Sequence, residues 1–390
     1  MRKQFESRRN SGSHNWVEPL ENRTLMAAHG ALESIALGAA PSAAPTVTKL
    51  VTGLASGSGS TVGPNGDLFI TEGKTGRVLE INPRTGAVST FAEGLPPSII
   101  GIGGAMDVEF VHGTAYVLVT LVGDQFGGNS PSGIYRVDGP HSFTVVADIG
   151  KWSEEHPPVP AFFIPTGVQY SMESYHGDLI VADGHHNRVL QVGLDGDIDE
   201  VIAFGDIVPT GLAIKGNTIY LAQAGPIPHL PENGKVVSFR VGDQTAEFVG
   251  SGAPLLVDVE FGRGNTMYAL AQGPHTNPME GSPSDPNGGS LVRVNRDGTF
   301  TTIVDKLNQP TSMEIIGDTA YVVMLTGEVW RVDHLSGMAS GDGRDGNAGG
   351  AGNDDPAPDR HSVTSNAFFD DRDDGPGGKG HDKSHRALLS

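Results

Sequence analysis

The chain has 390 residues, no cysteine and a formal net charge of −20 at pH 7. The absence of cysteine excludes disulfides and thiolate metal sites, and the acidic balance argues against a nucleic-acid-binding protein, because phosphates need a basic surface. No apolar run reaches the ~18 residues that a membrane-spanning helix needs. Abundant glycine (55) and proline (26), with only 6% aromatic residues, favour many short strands joined by tight turns.

Residues 1–45 differ from the rest of the chain and are predicted to be an export leader or a disordered arm. The segment begins with the basic stretch MRKQFESRRN and ends in the small-residue run AAPSAAP. Between them, VEPLENRTLM at positions 17–26 resembles the LEPR-XLL leader at the start of many exported or surface bacterial proteins. The resemblance implies an extracytoplasmic protein, either secreted, periplasmic or held at the cell surface. The alternative is a disordered arm of mixed charge.

Residues 46–333 contain six copies of one sequence repeat, which is predicted to form three strands. In each copy a hairpin of two strands is followed by a third strand, and the clearest copy spans residues 165–205. The third strands begin GRVLEI, GIYRVD, NRVLQV, GKVVSF, GSLVRV and GEVWRV. Such a unit does not bury both of its faces alone, so the copies must stack on one another.

Six copies at spacings of roughly 40–57 residues predict an all-β protein, a six-bladed β-propeller with four-stranded antiparallel blades. The sixth copy ends at residue 333 without a fourth strand, and a spare strand, TVTKLVTGL, begins at residue 46. We expect this strand to pair with the sixth blade and close the ring, which removes the open sheet edges. Residues 334–390 are rich in Gly, Asp, Asn and Ser and are predicted to form a disordered tail.

The lengths of the connections predict which face of the disc carries function. On one face the turns are short, whereas the long insertions all fall on the other, at residues 95–105, 123–132, 150–164, 224–233 and 271–288. Because loops on a rigid scaffold often carry function, this long-loop face is the predicted binding face. The histidines on it are His156, His185, His186, His229 and His275.

Aligned innermost strands predict acidic residues near the axis. Four blades share a small residue at one position, namely Gly59, Gly167, Gly211 and Ser312. The opposed blades two and five have Asp107 and Asp258 there, and Glu109 and Glu260 follow two residues later within the word DVEF. Such acids predict either a site for Ca²⁺ or another divalent cation, or carboxylates that accept backbone N–H bonds from a neighbouring loop.

A second polar set ends the second strands of four blades, namely Glu72, Asp183, Gln223 and, displaced by one residue, Gln272. Strand alternation directs these side chains towards the long-loop face beside the axis. Together with His185 and His156 from the loops, they form the predicted ligand-binding set for a polyhydroxylated or lactone ligand. The alternative is that they cap the backbones of the loops.

The word HGDLIVADGHHNRVLQV at residues 176–192 resembles the NHL repeat, whose ADxxNxRV core is structural. Across residues 46–333 the order of motifs is closer to the ScyD/ScyE-type propeller family. The residues that carry this likeness are PTG at 165–167, IYLAQAG at 219–225, VDVEF at 257–261, GSLVRVNRDGT at 289–299 and PTS at 310–312. The resemblance implies a secreted or periplasmic six-bladed propeller whose biochemical activity is not settled.

Metal-dependent lactonases of the gluconolactonase type share this architecture. They hold a divalent cation with a Glu, an Asn and an Asp near the axis, and Glu72 and Asp183 are comparable with two of these ligands. However, the chain lacks their early EGP-type motif in the first blade, and it contains no GxSxG, Walker or HExxH motif.

Two functions therefore remain open from the sequence. The first is a monomeric binding or scaffold module that holds a small molecule, a glycan or a partner protein on the long-loop face. The second is a divalent-metal-dependent hydrolase of the gluconolactonase/SMP-30-like kind, with a nearby His or Glu as base and metal ligands among Asp107, Asp258, Glu72 and Asp183. Three or more carboxylate oxygens converging near the axis would favour the hydrolase, and carboxylates tied to backbone amides would favour the binding module.

Overall fold

The structure, a computed structural model, describes residues 43–277 and 281–338. The strands of these residues form six four-stranded antiparallel sheets, and the innermost strand of each sheet contacts those of the sheets before and after it. The predicted six-bladed β-propeller is thus confirmed. Most of the predicted leader and of the predicted tail lies outside the described residues.

The chain enters the propeller with β1 (Thr46–Val51). Blade one consists of β2 (Ser60–Val62), β3 (Leu68–Glu72), β4 (Arg77–Ile81) and β5 (Val88–Glu93). Blade two consists of β6 (Gly104–Val111), β7 (Thr114–Thr120), β8 (Gly133–Gly139) and β9 (Ser142–Ala147). Blade three consists of β10 (Gln169–Tyr175), β11 (Asp178–Asp183), β12 (Arg188–Val192) and β13 (Ile198–Ala203).

The second half of the ring follows the same plan. Blade four consists of β14 (Pro209–Lys215), β15 (Thr218–Gln223), β16 (Lys235–Phe239) and β17 (Glu247–Ser251). Blade five consists of β18 (Leu256–Phe261), β19 (Met267–Ala271), β20 (Gly289–Val294) and β21 (Phe300–Leu307). Blade six takes β22 (Pro310–Ile316), β23 (Thr319–Met324) and β24 (Glu328–Asp333) from the C-terminal side.

The fourth strand of blade six is β1, as the spare strand at residue 46 predicted. It pairs antiparallel with β24, so that Thr46 lies opposite Asp333 and Val51 opposite Val329. Val51 is buried in a cluster that contains Ile70 of blade one and Val329 of blade six. The two ends of the propeller are therefore joined both by a strand pair and by a shared core.

The core lies between the blades because the second strand of each blade is buried on both of its faces. Along β11 the side chains of Leu179 and Val181 pack with Leu118 of blade two. The intervening Ile180 packs on the other side, with Leu221 of blade four. The continuous apolar run of this strand follows from this burial, because alternate residues of a strand point to opposite faces.

The long connections contain most of the remaining regular structure. The helix α1 (Ile149–Glu155), which the sequence did not predict, links blades two and three, and Asp148 caps it by accepting the N–H of Lys151 at 2.9 Å. Short 3-10 helices cover Asp124–Phe126, Arg263–Asn265 and Leu335–Met338. Among the described residues, none of the helices has the length and apolar character needed to cross a bilayer.

Candidate functional site

One layer of six residues surrounds the axis near the start of the innermost strands. In blade order the layer is Gly59, Asp107, Ser171, Gly211, Asp258 and Ser312. The sequence placed Gly167 in this layer, but Gly167 precedes β10, and Ser171 holds the position opposite Ala182. The repeated word PTG misled the alignment, because at 209–211 it lies within β14 and at 165–167 it lies before β10.

This layer reads Gly, Asp, Ser twice around the ring, which gives the inner wall an approximate two-fold repeat. The two glycines are required by the aspartates of the next blades. A Cβ added to Gly59 would collide with Asp107, and one added to Gly211 would collide with Asp258. Each aspartate is therefore seated directly against the neighbouring inner strand.

The two aspartates join adjacent blades through backbone hydrogen bonds. Asp107 accepts the N–H of Val108 at 2.9 Å and, from blade three, the N–H of Met172 at 2.8 Å. Asp258 accepts the N–H of Val259 at 2.8 Å and, from blade six, the N–H of Met313 at 2.7 Å. Burial raises the pKa of Asp107 well above its usual value and that of Asp258 to about 7, although these N–H bonds act in the opposite direction.

The next layer contains four glutamates, two of which sequence reasoning missed. Glu109, Glu260 and Glu314 follow two residues after Asp107, Asp258 and Ser312, and Glu173 follows Ser171 in the same way. Glu314 could have been recognised from its two-residue spacing to Ser312. Glu173 could not, because the alignment of blade three was based on Gly167 in place of Ser171. The blades without a glutamate have Thr61 and Ala213 at this position.

These glutamates are close enough to one another that their charges interact. Burial first, and then the charges of the neighbouring acids, raise the pKa of Glu173 and Glu314 well above the usual value. The pKa of Glu260 is raised in the same way, with the charge of Asp258 as the largest contribution after burial. Glu109 is less affected, because Thr61 Oγ1 donates a hydrogen bond to its Oε2 at 2.7 Å. Like charges crowded in one channel favour the protonated acids.

Glu72, a predicted ligand residue, is completely buried and surrounded by donors. It accepts the backbone N–H of Ala55 at 2.7 Å, the hydroxyl of Thr75 at 2.7 Å and Nε of Arg77 at 2.8 Å. Its carboxylate is therefore committed to holding the loops at the end of β3. This arrangement matches the alternative in which the residue caps loop backbones.

Asp183 and Arg188 form a buried ion pair at the same end of blade three. Nε of Arg188 lies 3.3 Å from Oδ2 of Asp183, and Val168 N–H donates to Oδ1 at 3.1 Å. Burial raises the pKa of Asp183, but its hydrogen bond from His186 and the positive charges around it outweigh burial and lower the pKa overall. Asn187 completes the motif by accepting the N–H groups of Ile207 and Val208.

The remaining predicted ligand residues have separate environments. Gln272 donates to the carbonyl of Pro310 at 3.1 Å and accepts the N–H of Ser284 at 3.1 Å, so it holds a loop. Gln223 is buried at the end of β15. His156 is exposed and stacks on Trp152 at the end of α1.

Three histidines lie on the long-loop face in partly enclosed positions. His185 accepts the N–H of Ile164 at 3.2 Å, and burial together with the charge of His186 lowers its pKa to about 4. His229 and His275 face each other edge to face, with ring centroids 5.2 Å apart. Burial lowers the pKa of His229, although its bond to the Gly225 carbonyl acts in the opposite direction.

A single cavity of about 980 Å³ brings part of the predicted set together. It runs from the long loops into the axial channel. The predicted residues that line it are Asp107, Asp258, Glu260, His185 and Gln272. Glu72, Asp183, Gln223, His156 and Glu109 are not among its described lining residues. The cavity also contains Glu173, Glu314, His229 and His275, which were not in the predicted set.

The donors do not fit the predicted cation. In the part of the chain that the structure describes, no three His, Asp or Glu side chains are grouped so that they would hold a metal ion. Asp107 and Asp258 already accept two backbone N–H bonds each, and Glu72 and Asp183 are each bonded to an arginine. The carboxylates of these four residues are therefore occupied by donors of the protein itself.

No protein-family model matches the sequence, and no curated protein matches it. Solved structures do match the fold. A gluconolactonase from Xanthomonas campestris aligns with a TM-score of 0.53 at 11% identity, over 74% of this chain and 89% of that one. A PQQ-bound aldose sugar dehydrogenase from Streptomyces coelicolor has a TM-score of 0.54 at 13% identity, over 75% and 99%. A Thermus thermophilus protein described as a glucose dehydrogenase has a TM-score of 0.52 at 16% identity, over 74% and 99%.

At these identities the likeness concerns the fold alone. The propeller of this chain is similar to those of gluconolactonase-like proteins and to those of sugar dehydrogenases. One architecture thus supports different chemistries, so the function must be argued from the cavity and its side chains.

Proposed function

We propose that this protein is a binding module that holds a small molecule in the axial cavity of the long-loop face. The observation that carries the proposal is the cavity itself, whose volume of about 980 Å³ lies at the upper end of the range typical of organic ligands, roughly 300–1,000 Å³. Its walls combine apolar residues of the long loops with polar and acidic residues near the axis, so an organic ligand could meet both apolar surface and hydrogen-bonding groups.

Exposed apolar side chains on the long loops support the same conclusion. Ile99, Ile100, Ile102 and Ile227 are each about two-fifths exposed, and Phe163 is 63% exposed. Ile102 and Ile227 also line the cavity. Apolar groups at the rim of a pocket lose their contact with water when an organic ligand binds, and this favours binding.

The metal-dependent hydrolase is the weaker candidate. The fold likeness to a gluconolactonase supports it, but the acids comparable with lactonase ligands are Glu72 and Asp183. Each of these is bonded to an arginine and to backbone N–H groups. A metal would have to displace these bonds inside the protein, at the cost of separating Arg77 and the buried Arg188 from their nearest carboxylates.

The family and the location belong to the same proposal. The order of motifs in residues 46–333 supports a ScyD/ScyE-type propeller, and the VEPLENRTLM segment supports export from the cytoplasm. Expression of the full chain in a bacterium, followed by cell fractionation and mass spectrometry, tests the location. Recovery from the periplasm, the cell surface or the medium is expected, and recovery from the cytoplasm alone would contradict export.

Ligand-observed NMR on the full chain, with a library of neutral and charged small molecules, tests the binding site. Ser58 lines the cavity and is partly buried, so Ser58→Trp fills part of the space. Ser89 is exposed on the outer strand β5, so Ser89→Trp is a matched control. We expect compounds that bind the wild type and Ser89→Trp but not Ser58→Trp.

Two results would contradict the proposal. One is that no compound binds, or that all those that bind the wild type bind Ser58→Trp equally well. The other is hydrolysis of gluconolactone that requires added Ca²⁺, Zn²⁺ or Mn²⁺ and is lost in Glu72→Gln. The second result would make the protein a metal-dependent hydrolase.

A further inference from the structure

The inner end of the axial cavity is acidic. Asp107, Glu173, Asp258, Glu260 and Glu314 all line it. The two aspartates are occupied by backbone N–H groups, but the carboxyl of Glu173 has no hydrogen bond to any other described residue. Glu314 receives only a long bond, 3.3 Å, from the hydroxyl of Ser60. The glutamates therefore have acceptor capacity that the described part of the protein does not use.

Two histidines of the same cavity each place one ring nitrogen against a loop carbonyl. Nδ1 of His229 lies 2.7 Å from the carbonyl of Gly225, and Nε2 of His275 lies 3.1 Å from the carbonyl of Ser282. A ring nitrogen that faces a carbonyl carries the hydrogen, so the other nitrogen of each neutral ring is an acceptor. Nδ1 of His275 is buried and has no hydrogen-bond partner among the described residues, and the whole side chain is only 6% exposed.

A buried acceptor that has no partner among the described residues is a suitable place for the donor of a ligand. An unsatisfied buried polar atom costs about 1–3 kcal/mol, which a ligand N–H or O–H would recover. His275 is an observation independent of the acids, because it belongs to the long loop after β19 and not to the inner strands. Both observations point to an occupant that donates hydrogen bonds.

The charges of the wall lead to the same conclusion. Among the described lining residues, Lys74 is the single lysine or arginine, against the acids named above and Asp206. An anionic ligand would be repelled by those acids that are ionised, and a neutral ligand would leave the crowded acids protonated. A cation would be attracted by all of them.

We propose that the ligand of the axial cavity is an organic cation, a primary amine whose ammonium group lies among Glu173, Glu260 and Glu314 and whose apolar body packs against the long loops. This inference rests on the proposed binding function and names its ligand class. An ammonium group has three donors and no acceptor, which suits a wall made of carboxyl oxygens and imidazole nitrogens. Leu121, Leu255 and Ile227 supply apolar wall above the acids.

A divalent metal ion fits the cavity less well than an amine. The glutamates come from four separate blades, and no three acidic or histidine side chains of the described residues are grouped as metal ligands. A hard cation such as Ca²⁺ needs six to eight oxygens at about 2.3–2.6 Å. An ammonium group makes fewer and longer contacts than this. A bare ion would also leave the apolar walls of the cavity without any contact to the ligand.

Binding of an amine should also release protons. The acids of the channel raise one another's pKa, and a positive charge among them lowers it. Near neutral pH the incoming ammonium group would therefore expel protons from the glutamates. The release of protons on binding can be measured, and a nonspecific attraction to an acidic surface would not cause it.

Isothermal titration calorimetry on the full chain tests the inference, with phenethylamine as the probe and phenethyl alcohol as its neutral counterpart of nearly the same shape. At about pH 7 we expect the amine to bind at least about tenfold more tightly than the alcohol, a difference near 1.4 kcal/mol. The observed heat of amine binding should change with the ionisation enthalpy of the buffer, because protons are released.

Two glutamate variants separate the channel from the general surface. Glu173→Gln removes an acid of the cavity and should weaken phenethylamine binding by about tenfold. Glu247 is exposed on the outer strand β17, so Glu247→Gln removes the same charge elsewhere and should leave the affinity unchanged. Unfolding midpoints of both variants show that the fold is retained.

The possible failures can be told apart. Equal affinity for the amine and the alcohol, with both lost in Ser58→Trp, would overturn the cation preference and leave cavity binding intact. Equal weakening by Glu173→Gln and Glu247→Gln would overturn it as well. Displacement of the amine by Ca²⁺, with Ca²⁺ binding lost in Glu173→Gln, would replace the amine with a metal ion. If Ser58→Trp changes the binding of neither probe, the cavity itself is not the site.

Discussion

The carboxylate of Asp107 in blade two accepts the backbone N–H of Met172 in blade three at 2.8 Å. The same side chain also accepts the N–H of Val108 in its own strand at 2.9 Å. Asp258 repeats both contacts on the opposite side of the ring, where it joins blade five to Met313 of blade six. The motif DVEF occurs twice in the sequence, and in both copies its aspartate joins two neighbouring blades.

Replacement of these aspartates by asparagine should destabilise the propeller. A protonated or ionised carboxyl accepts through both oxygens, whereas an amide accepts through one and turns its NH₂ towards the second N–H. We expect Asp107→Asn and Asp258→Asn each to lower the free energy of unfolding by about 1–3 kcal/mol. Urea unfolding at about pH 5, where repulsion between the acids is small, measures this loss.

Asp199 lies exposed on the outer strand β13, so Asp199→Asn is the control for the changes at Asp107 and Asp258. We expect it to leave the free energy of unfolding unchanged. An Asp107→Asn protein as stable as the wild type would show that the contact between Asp107 and Met172 does not stabilise the joint between the blades.

The stability of the protein should fall as the pH rises above neutrality. The pKa of Asp258 is raised to about 7, and those of Glu173, Glu260 and Glu314 are raised well above their usual values. The folded state therefore holds more protons than the unfolded chain in this window, and each is lost as the pH passes the folded pKa. We expect the free energy of unfolding to decrease as the pH rises above about 6.5.

The pH range above about 6.5 excludes groups whose titration would make the stability rise with pH. Burial lowers the pKa of His185 and His229, so these residues make stability rise with pH, but only up to their unfolded value near 6.5. Asp183, whose pKa is lowered, acts at still lower pH. Glu173→Gln should reduce the pH dependence in the chosen window. Stability that is constant or increases from about pH 6.5 to about pH 8.5 would contradict the crowding of acids in the channel.

Asp183 is expected to be a structural residue and not a ligand. Arg188 is 1% exposed, and Asp183→Asn would leave its buried guanidinium with only the exposed Glu200, 3.6 Å away, as a carboxylate partner. We expect this change to cost about 3–5 kcal/mol in urea unfolding, as for other broken buried pairs. The exposed pair of Arg136 and Asp138 provides the control, because Asp138→Asn should have a far smaller effect. A stable Asp183→Asn protein that has lost ligand binding would instead support the ligand role.

The closing strand β1 provides a paired test of the ring. Val51 is 7% exposed and packs between blades one and six, whereas Val47 on the same strand is 40% exposed. Val51→Asp places an unpaired charge in that core and should cost several kcal/mol, with aggregation as the ring opens. Val47→Asp should change the unfolding midpoint little. Equal effects of the two changes would show that β1 does not seal the core.

Much of the fold was predictable because its signals are local. The alternation in DLIVAD and the turns after it specify strands and hairpins within a few residues. The unpaired TVTKLV at one end and the missing fourth strand at the other specified how the ring closes. The helix α1 was missed, because a seven-residue helix in a connection between blades has no apolar period long enough to recognise.

The candidate site was predictable only in part, because its members come from different blades. Glu173 was missed when the shared word PTG misplaced the strand of blade three by four residues. For Glu72 and Gln272 the sequence left a ligand and the loop backbones as alternative partners, and no pattern of spacing reveals which loop N–H and carbonyl groups they meet. The pairing of His229 with His275 depends on two loops meeting in space.

The sequence by itself determined the blades, their number, the closing strand and the face with the long loops, because each of these follows from alternation, turns and the lengths between them. Only the tertiary structure decided what the acids do. A carboxylate takes its role from the groups that surround it, and whether Asp107 meets a metal, an amine or the N–H of Met172 depends on atoms about 65 residues away in the chain.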